Sequence, residues 1–279
     1  MMREIRSSSI LAIGNVLLVL LCLLWNARDG WAQQAQERPH FLFKIGASYD
    51  QGDFGTSETS RALFIPVTLR YLGSRFDVSV TPSFALIDTS GGVRLIEGIP
   101  TPTGEGAGAI RETRSGAGDT VLRGRFYLHT DPGRTAALPS ITPFAKVKIP
   151  TAREEIDLGT GEVDYGFGVE WDKQILPLLL FGDVSYTVIG KVAGLDLRNR
   201  PGASFGVGGR LSDTVFASTL VDWRRSIFEG NTDLAELVGV LTFRLSPAVS
   251  VSPNAFVGLT SSTSDFGAGV EFSFRFGRY

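Results

Sequence analysis

Cysteine is almost absent. The single thiol, Cys22, lies in an N-terminal apolar run, so a mature chain without that run carries none, as suits an oxidising compartment. Histidine is nearly as scarce, with only His40 and His129, which leaves no Cys/His cluster of metal-ligand spacing and no obvious base for a nucleophile. Charge of one sign is missing too. A net charge of −2 with 20% charged residues excludes a basic nucleic-acid binder and an acidic disordered tail. After residue 32 there is no long apolar run and no sustained helical period. The Gly-rich stretches GTGE at Gly159 and GVGGR at Gly206 do not open a helix, so phosphate cradling is not expected there. DLGTGEVD resembles a calcium loop in composition only.

What is present points elsewhere. Arg3 and Arg6 precede an apolar run from Ile10 to Trp25, and Gly30-Trp31-Ala32 offers small residues at the −3 and −1 positions. This pattern predicts a Sec signal peptide over residues 1–32, cut after Ala32. The alternative, a membrane anchor helix, needs a longer run. A lipoprotein site at Cys22 would need a small residue where Leu21 stands. The 33 glycines and 10% aromatics favour strands and turns over helices.

From His40 onward, segments of about ten residues alternate apolar and polar, the signature of a membrane-spanning β-strand. Twelve are expected: 40–50, 61–71, 76–88, 116–129, 141–151, 163–173, 178–190, 203–211, 214–227, 234–245, 249–260 and 266–276. Pro253 and Asn254 weaken the eleventh. Residues 88–116 read as a long Gly-, Thr- and Pro-rich loop, either a surface loop or a lid folded towards the lumen. The joins alternate in length: QGDFGTSE, AREEIDLGTGE and KVAGLDLRNR against the tight GSR, KQIL, SD and SPA. Short periplasmic turns and long outer loops are the habit of outer-membrane barrels.

The fold expectation is therefore all-β, a single transmembrane antiparallel barrel of about 12 strands spanning 33–279 in the bacterial outer membrane. Aromatic residues near strand ends (Tyr71, Phe76, Tyr165, Trp171, Trp223, Phe276) would form interfacial girdles against outer-membrane lipid. A secreted soluble barrel or sandwich would give similar alternation with the faces inverted. A terminal aromatic, Tyr279, on an alternating last strand is the feature read by the barrel-assembly machinery, although Phe272, Phe274 and Phe276 are one residue out of phase with it.

The polar faces carry the functional candidates. Expected lumen-lining residues are Lys44, Arg70, Arg123, Arg125, Lys146, Lys148, Arg210, Arg224, Arg244 and Arg275 among cations, and Asp164, Glu170, Asp172, Asp183, Asp222, Glu236 and Glu271 with Asp77 among anions. Phe64, Phe144 and Phe181 break the polar phase and would add aromatic surface. Between Gly116 and Lys173 a basic wall (Arg123, Arg125, Lys146, Lys148) would meet an acidic one (Asp164, Glu170, Asp172). Such charges either brace the wall as cross-strand pairs or orient solutes with a transverse field.

The segments GAGDTVLRGRFYL, PFAKVKIPT, LGTGEVDYGFGVEWDK, DVSYTVIG and GLTSSTSDFGAGVEFSFRF resemble the outer-membrane transporter family labelled MetA-pathway of phenol degradation. The likeness covers roughly residues 115–276, and PTAREE departs from the PTG-like turn common in that family. The resemblance implies passive uptake of small organic, aromatic or hydrophobic solutes. A structural or interaction barrel without an open pore is the alternative. No catalytic residue, metal site, cofactor or nucleic-acid partner is expected.

Overall fold

The computed structural model describes residues 40–56, 58–90, 93–96, 99–102, 111–132, 137–152, 158–192 and 195–277. The expected signal segment 1–32 and the terminal Tyr279 lie outside them. The described residues hold sixteen strands and no α-helix.

Twelve staves close a single antiparallel barrel. The first two are β1 (His40–Gly52) and β2 (Ser60–Leu72). The third is split into β3 (Phe76–Thr81) and β4 (Ser83–Thr89), and the fourth into β7 (Glu112–Ala117) and β8 (Thr120–Phe126). Then follow β9 (Ser140–Ile149), β10 (Asp164–Ile175), β11 (Leu178–Val188) and β12 (Arg200–Arg210). The last four are β13 (Val215–Arg224), β14 (Leu234–Arg244), β15 (Val249–Gly258) and β16 (Phe266–Phe276). The barrel closes by pairing β1 with β16, from Phe41 opposite Phe276 to Gln51 opposite Phe266. Closure removes the free edges that hydrocarbon could not satisfy.

The outer face carries Phe41, Leu69, Phe84, Phe167, Val184, Phe205 and Leu241, all exposed. A face this apolar is stable only against lipid. At the short-turn end Phe41, Tyr71 and Phe76 stack with ring centroids 5.4 and 5.9 Å apart, forming one girdle. Tyr165 and Trp223 lie near the other end. Trp171 packs on Phe205 at 6.0 Å, further inside the band than the girdle expectation placed it.

Three sequence expectations need correction. Pro82 lacks an N–H and interrupts the third stave, but β3 and β4 keep one register against β2, so the inward phase is unchanged. The fourth stave starts at Glu112 and carries an extra residue: Thr81 pairs with Val121 but Phe84 with Ala117. This β-bulge at Gly118–Asp119 reverses the parity of inward residues, so Arg114 and Arg123 share a face. The supposed loop 88–116 also contains strands among its described residues. Its ends belong to β4 and β7, and within it β5 (Val93–Ile96) and β6 (Ile99–Pro102) form a hairpin of their own. The eleventh stave is intact despite Pro253, which sits opposite Val270 on the outward phase.

Candidate functional site: the inner wall and its mouth

The register places every expected lumen residue on the face opposite the exposed apolar one. The three charged strands are side by side, however, so basic and acidic residues meet along the wall and not across the barrel. Arg123 lies directly opposite Lys146, and Lys148 directly opposite Asp164.

Two ion-pair knots result. At the short-turn end Asp77, only 1% exposed, takes Arg70 at 2.5 Å, the Tyr127 hydroxyl at 2.6 Å and Arg125 at 3.6 Å. Glu170 extends the knot, taking Arg125 at 3.2 Å and Arg123 at 2.5 Å. The Arg123 guanidinium also caps the Phe144 ring, 3.9 Å from its centroid. Burial first, then the hydrogen bond to Asp77, pushes the Tyr127 phenol up, so it stays a donor. At the long-join end Lys148 is fully buried. Its Nζ lies 2.8 Å from Asp164, 3.3 Å from Asp119 and 2.8 Å from the Thr160 hydroxyl. The bulge brings Asp119 there, where it also accepts the Ala152 N–H at 3.2 Å, while Asp164 accepts that of Gly190 at 2.8 Å. This knot pins the joins 150–163 and 189–199 to the wall.

The remaining candidates are dispersed. Lys44 pairs with Glu271 at 2.8 Å, Asp172 accepts from Ser140 at 3.0 Å, and Asp183 accepts from the Ser204 hydroxyl. Arg224 pairs with Asp222, and Glu236 faces Ser264 at 3.5 Å. Lys146 lies along Gly166, where an added Cβ would fall 2.5 Å from its Cε. Arg210, Arg244 and Arg275 stand together at the short-turn end. His40 and His129 also lie at that end, the latter bridged to Ile141.

Inward aromatic rings occupy the space left by glycines of neighbouring strands. A Cβ at Gly168 would fall 2.7 Å from the Phe144 ring, one at Gly206 2.5 Å from Phe181, and one at Gly208 2.6 Å from Phe216. Phe256 covers Gly267 in the same way. Sequence reasoning missed Phe216, Leu220, Val238, Val240 and Phe256. They share the inward phase of β13–β15 and add an apolar patch to that part of the wall. The break in alternation on β13 and β14 was the available signal.

The hairpin β5–β6 closes over the mouth. Val93 and Leu95 are buried with Phe54, Ala62, Ala85, Ile87 and Leu158, on the side of β2 and β4, and Phe64 packs against this group. Ile96 is buried with Ile189, Leu197, Ile227 and Phe228, from the joins around β11–β13. Those two sides are half a circumference apart in the strand order. The hairpin therefore spans the long-join end, clamped by apolar contacts at both sides.

Comparison with protein-family models and with curated proteins finds no match. Solved structures do match. An outer membrane channel from Pseudomonas putida F1 aligns with a TM-score of 0.58 and 12% identity, covering 89% of this chain and all of that one. The NanC porin aligns with a TM-score of 0.51 and 9% identity, covering 85% of this chain and all of that one. The fold is that of an outer-membrane β-barrel. The likeness does not extend to the particular family label that the sequence segments resemble.

Proposed function

We propose that this barrel is a passive outer-membrane channel for small organic compounds. The observation that carries the reading is the treatment of inward side chains. Rings seated over Gly168, Gly206, Gly208 and Gly267 lie along the wall, and the long cations of β8–β10 are tied to carboxylates beside them. Both devices draw bulk back from the barrel axis, an arrangement a space-filling core does not need. The similarity to a channel and a porin agrees with it. The apolar patch on β13–β15 suits solutes with an aromatic or aliphatic body, the class that the resemblance to the phenol-degradation family implies.

Liposome swelling with purified protein tests this, comparing the full chain with a variant lacking residues 91–110. Flux of small aromatic alcohols, faster in the shortened variant, is expected. A barrel that passes no solute in either form overturns the reading. It would favour the second one, a structural barrel, which the two buried ion-pair knots would serve as bracing.

A further inference from the structure

We infer that Arg61 and Arg111 form a docking surface on the outside of the barrel for the phosphates of the outer-leaflet glycolipid, lipopolysaccharide. The surface lies on the lipid face, outside the lumen, and does not depend on whether the barrel conducts.

The strand register puts it there. On β2 the outward phase runs Tyr71, Leu69, Val67, Ile65 and Leu63, and Arg61 is its next member towards the mouth. Cross-strand pairing joins Arg61 to Gln51 of β1 on one side and to Asp88 of β4 on the other, and Asp88 in turn to Thr113 of β7. Arg111 stands two residues before Thr113 and reaches the same Asp88. Tyr49 donates its hydroxyl to Gln51 at 2.8 Å. A polar row thus caps four adjacent staves.

Its height matches the headgroup layer. At the short-turn end these staves carry the girdle of Phe41, Tyr71 and Phe76. From Tyr71 to Leu63 is nine residues. That length is about 30 Å of strand, or roughly 23 Å along the membrane normal at a tilt of about 40°. The apolar band of an outer-membrane barrel is about 25 Å tall, so Arg61 lies just past its outer edge. A lipid-facing cation is costly at the bilayer midplane and tolerated at the interface, where it meets the phosphate layer.

The donors are available. Arg111 gives Nε to the two Asp88 oxygens at 3.0 and 3.1 Å, and Nη2 to Asp88 at 2.9 Å and to the Thr59 carbonyl at 3.0 Å. The hydrogens of its Nη1 remain. Arg61 approaches Asp88 at 3.9 Å, outside hydrogen-bond distance, so its guanidinium donors are uncommitted among the described residues. The two arginine side chains are 52% and 40% exposed. Asp88 and the exposed Glu58, which also acts on Arg111, offset part of the charge. Recognition therefore rests on the guanidinium forks, which take phosphate oxygens bidentately, and on the neutral donors Gln51 and Thr113 beside them.

The face below the row suits the rest of such a lipid. Phe84 and Leu69, outward on β4 and β2, are 45% and 46% exposed. A molecule with phosphates on a sugar headgroup and acyl chains beneath covers both surfaces at once.

The test is native mass spectrometry of the full chain released from detergent. It is titrated with lipid A bearing both phosphates, with lipid A stripped of them, and with soluble glucosamine-1-phosphate. All titrations contain EDTA, which removes divalent ions that could bridge Asp88 to a phosphate. The proteins are the wild type, the pair Arg61→Gln/Arg111→Gln, and Arg75→Gln in the tight turn at the opposite end. Folding of each is checked by resistance to unfolding on an unheated gel. Wild type and Arg75→Gln should bind the phosphorylated lipid about ten-fold or more tighter than the stripped one. The Gln pair should lose most of that preference while binding the stripped lipid as wild type does. Equal affinity of wild type for the two lipids overturns the inference, and so does an undiminished preference in a folded Gln pair. Displacement of the lipid by glucosamine-1-phosphate at comparable concentration also overturns it, because the surface would then take a free phosphate. If the Gln pair does not fold, Arg61→Gln alone decides, and an undiminished preference there overturns the inference.

Discussion

Ile96→Ala tests whether the hairpin β5–β6 is the constriction. Ile96 is 0% exposed and clusters with Ile189, Leu197, Ile227 and Phe228 of the far joins. Truncating a well-packed isoleucine costs about 2–5 kcal/mol. That cost falls on the docked hairpin alone, because the barrel ladder does not include Ile96. Taking roughly 3 kcal/mol, the docked-to-withdrawn ratio drops by about a hundred-fold, since about 1.4 kcal/mol is a factor of ten. A hairpin docked about 99 parts in 100 would then be docked about half the time. Ile96→Val, costing about 0.5–1.5 kcal/mol, should shift the ratio by about ten-fold or less. Three assays read the outcome: solute flux into liposomes, limited proteolysis of residues 91–110, and urea unfolding of the barrel. Flux and proteolysis should rise together, in the order wild type, Val, Ala, while the unfolding midpoint stays within experimental error. Increased proteolysis with unchanged flux would show that the hairpin does not limit passage. Unchanged proteolysis would show that the apolar cluster does not hold it.

Further predictions concern the wall. Lys148→Met strands two nearly buried carboxylates, Asp119 and Asp164, and should cost about 3–5 kcal/mol in urea unfolding. Adding Asp119→Asn and Asp164→Asn should recover most of it, and a loss below about 1 kcal/mol for Lys148→Met alone would refute the knot. Arg123→Glu with Lys146→Glu adds negative charge beside Glu170 and should move the reversal potential towards cation selectivity in planar bilayers; no movement would place these residues off the conducting path. Gly206→Ala places a methyl 2.5 Å from the Phe181 ring and 2.9 Å from the Leu220 Cβ. The ring must swing off the wall, at a cost of about 1–3 kcal/mol, and single-channel conductance should fall.

Much of the barrel was legible because lipid makes a strict demand. An outward residue on every stave must be apolar, so strands such as Phe76–Thr81 and Asp164–Ile175 show a clean period of two. Where the inner face is also apolar the period vanishes. Phe216, Leu220, Val238 and Val240 therefore went unremarked, though their strands were found from flanking turns. The hairpin was hidden for another reason. VRLI is four residues long, and its burial depends on partners in four other joins, which no local pattern encodes. The bulge did leave a trace. Arg114 and Arg123 have opposite parity across Gly-Ala-Gly-Asp, and a stave that keeps both inside must absorb one extra residue between them. Cross-strand ion pairing was one of the two expectations for these charges, and strand adjacency makes the opposed charges lateral partners.

The lateral arrangement also decides what the charges contribute. An ion pair reached by solvent, such as Lys44–Glu271, contributes about 0–1 kcal/mol, so such pairs are weak reasons for the wall to be stable. Their geometric effect is larger. An unpaired arginine extends towards water and sweeps the lumen, whereas Arg123, held by Glu170 and stacked on Phe144, lies along β8–β10. The glycines under Phe181, Phe216 and Phe256 do the same for the aromatic rings. Two chemically different devices thus produce one result, side chains retracted to the perimeter over the middle of the barrel. On the channel reading, selection is then left to the apolar hairpin at the mouth. Ile96→Ala should therefore raise flux for neutral and anionic solutes alike.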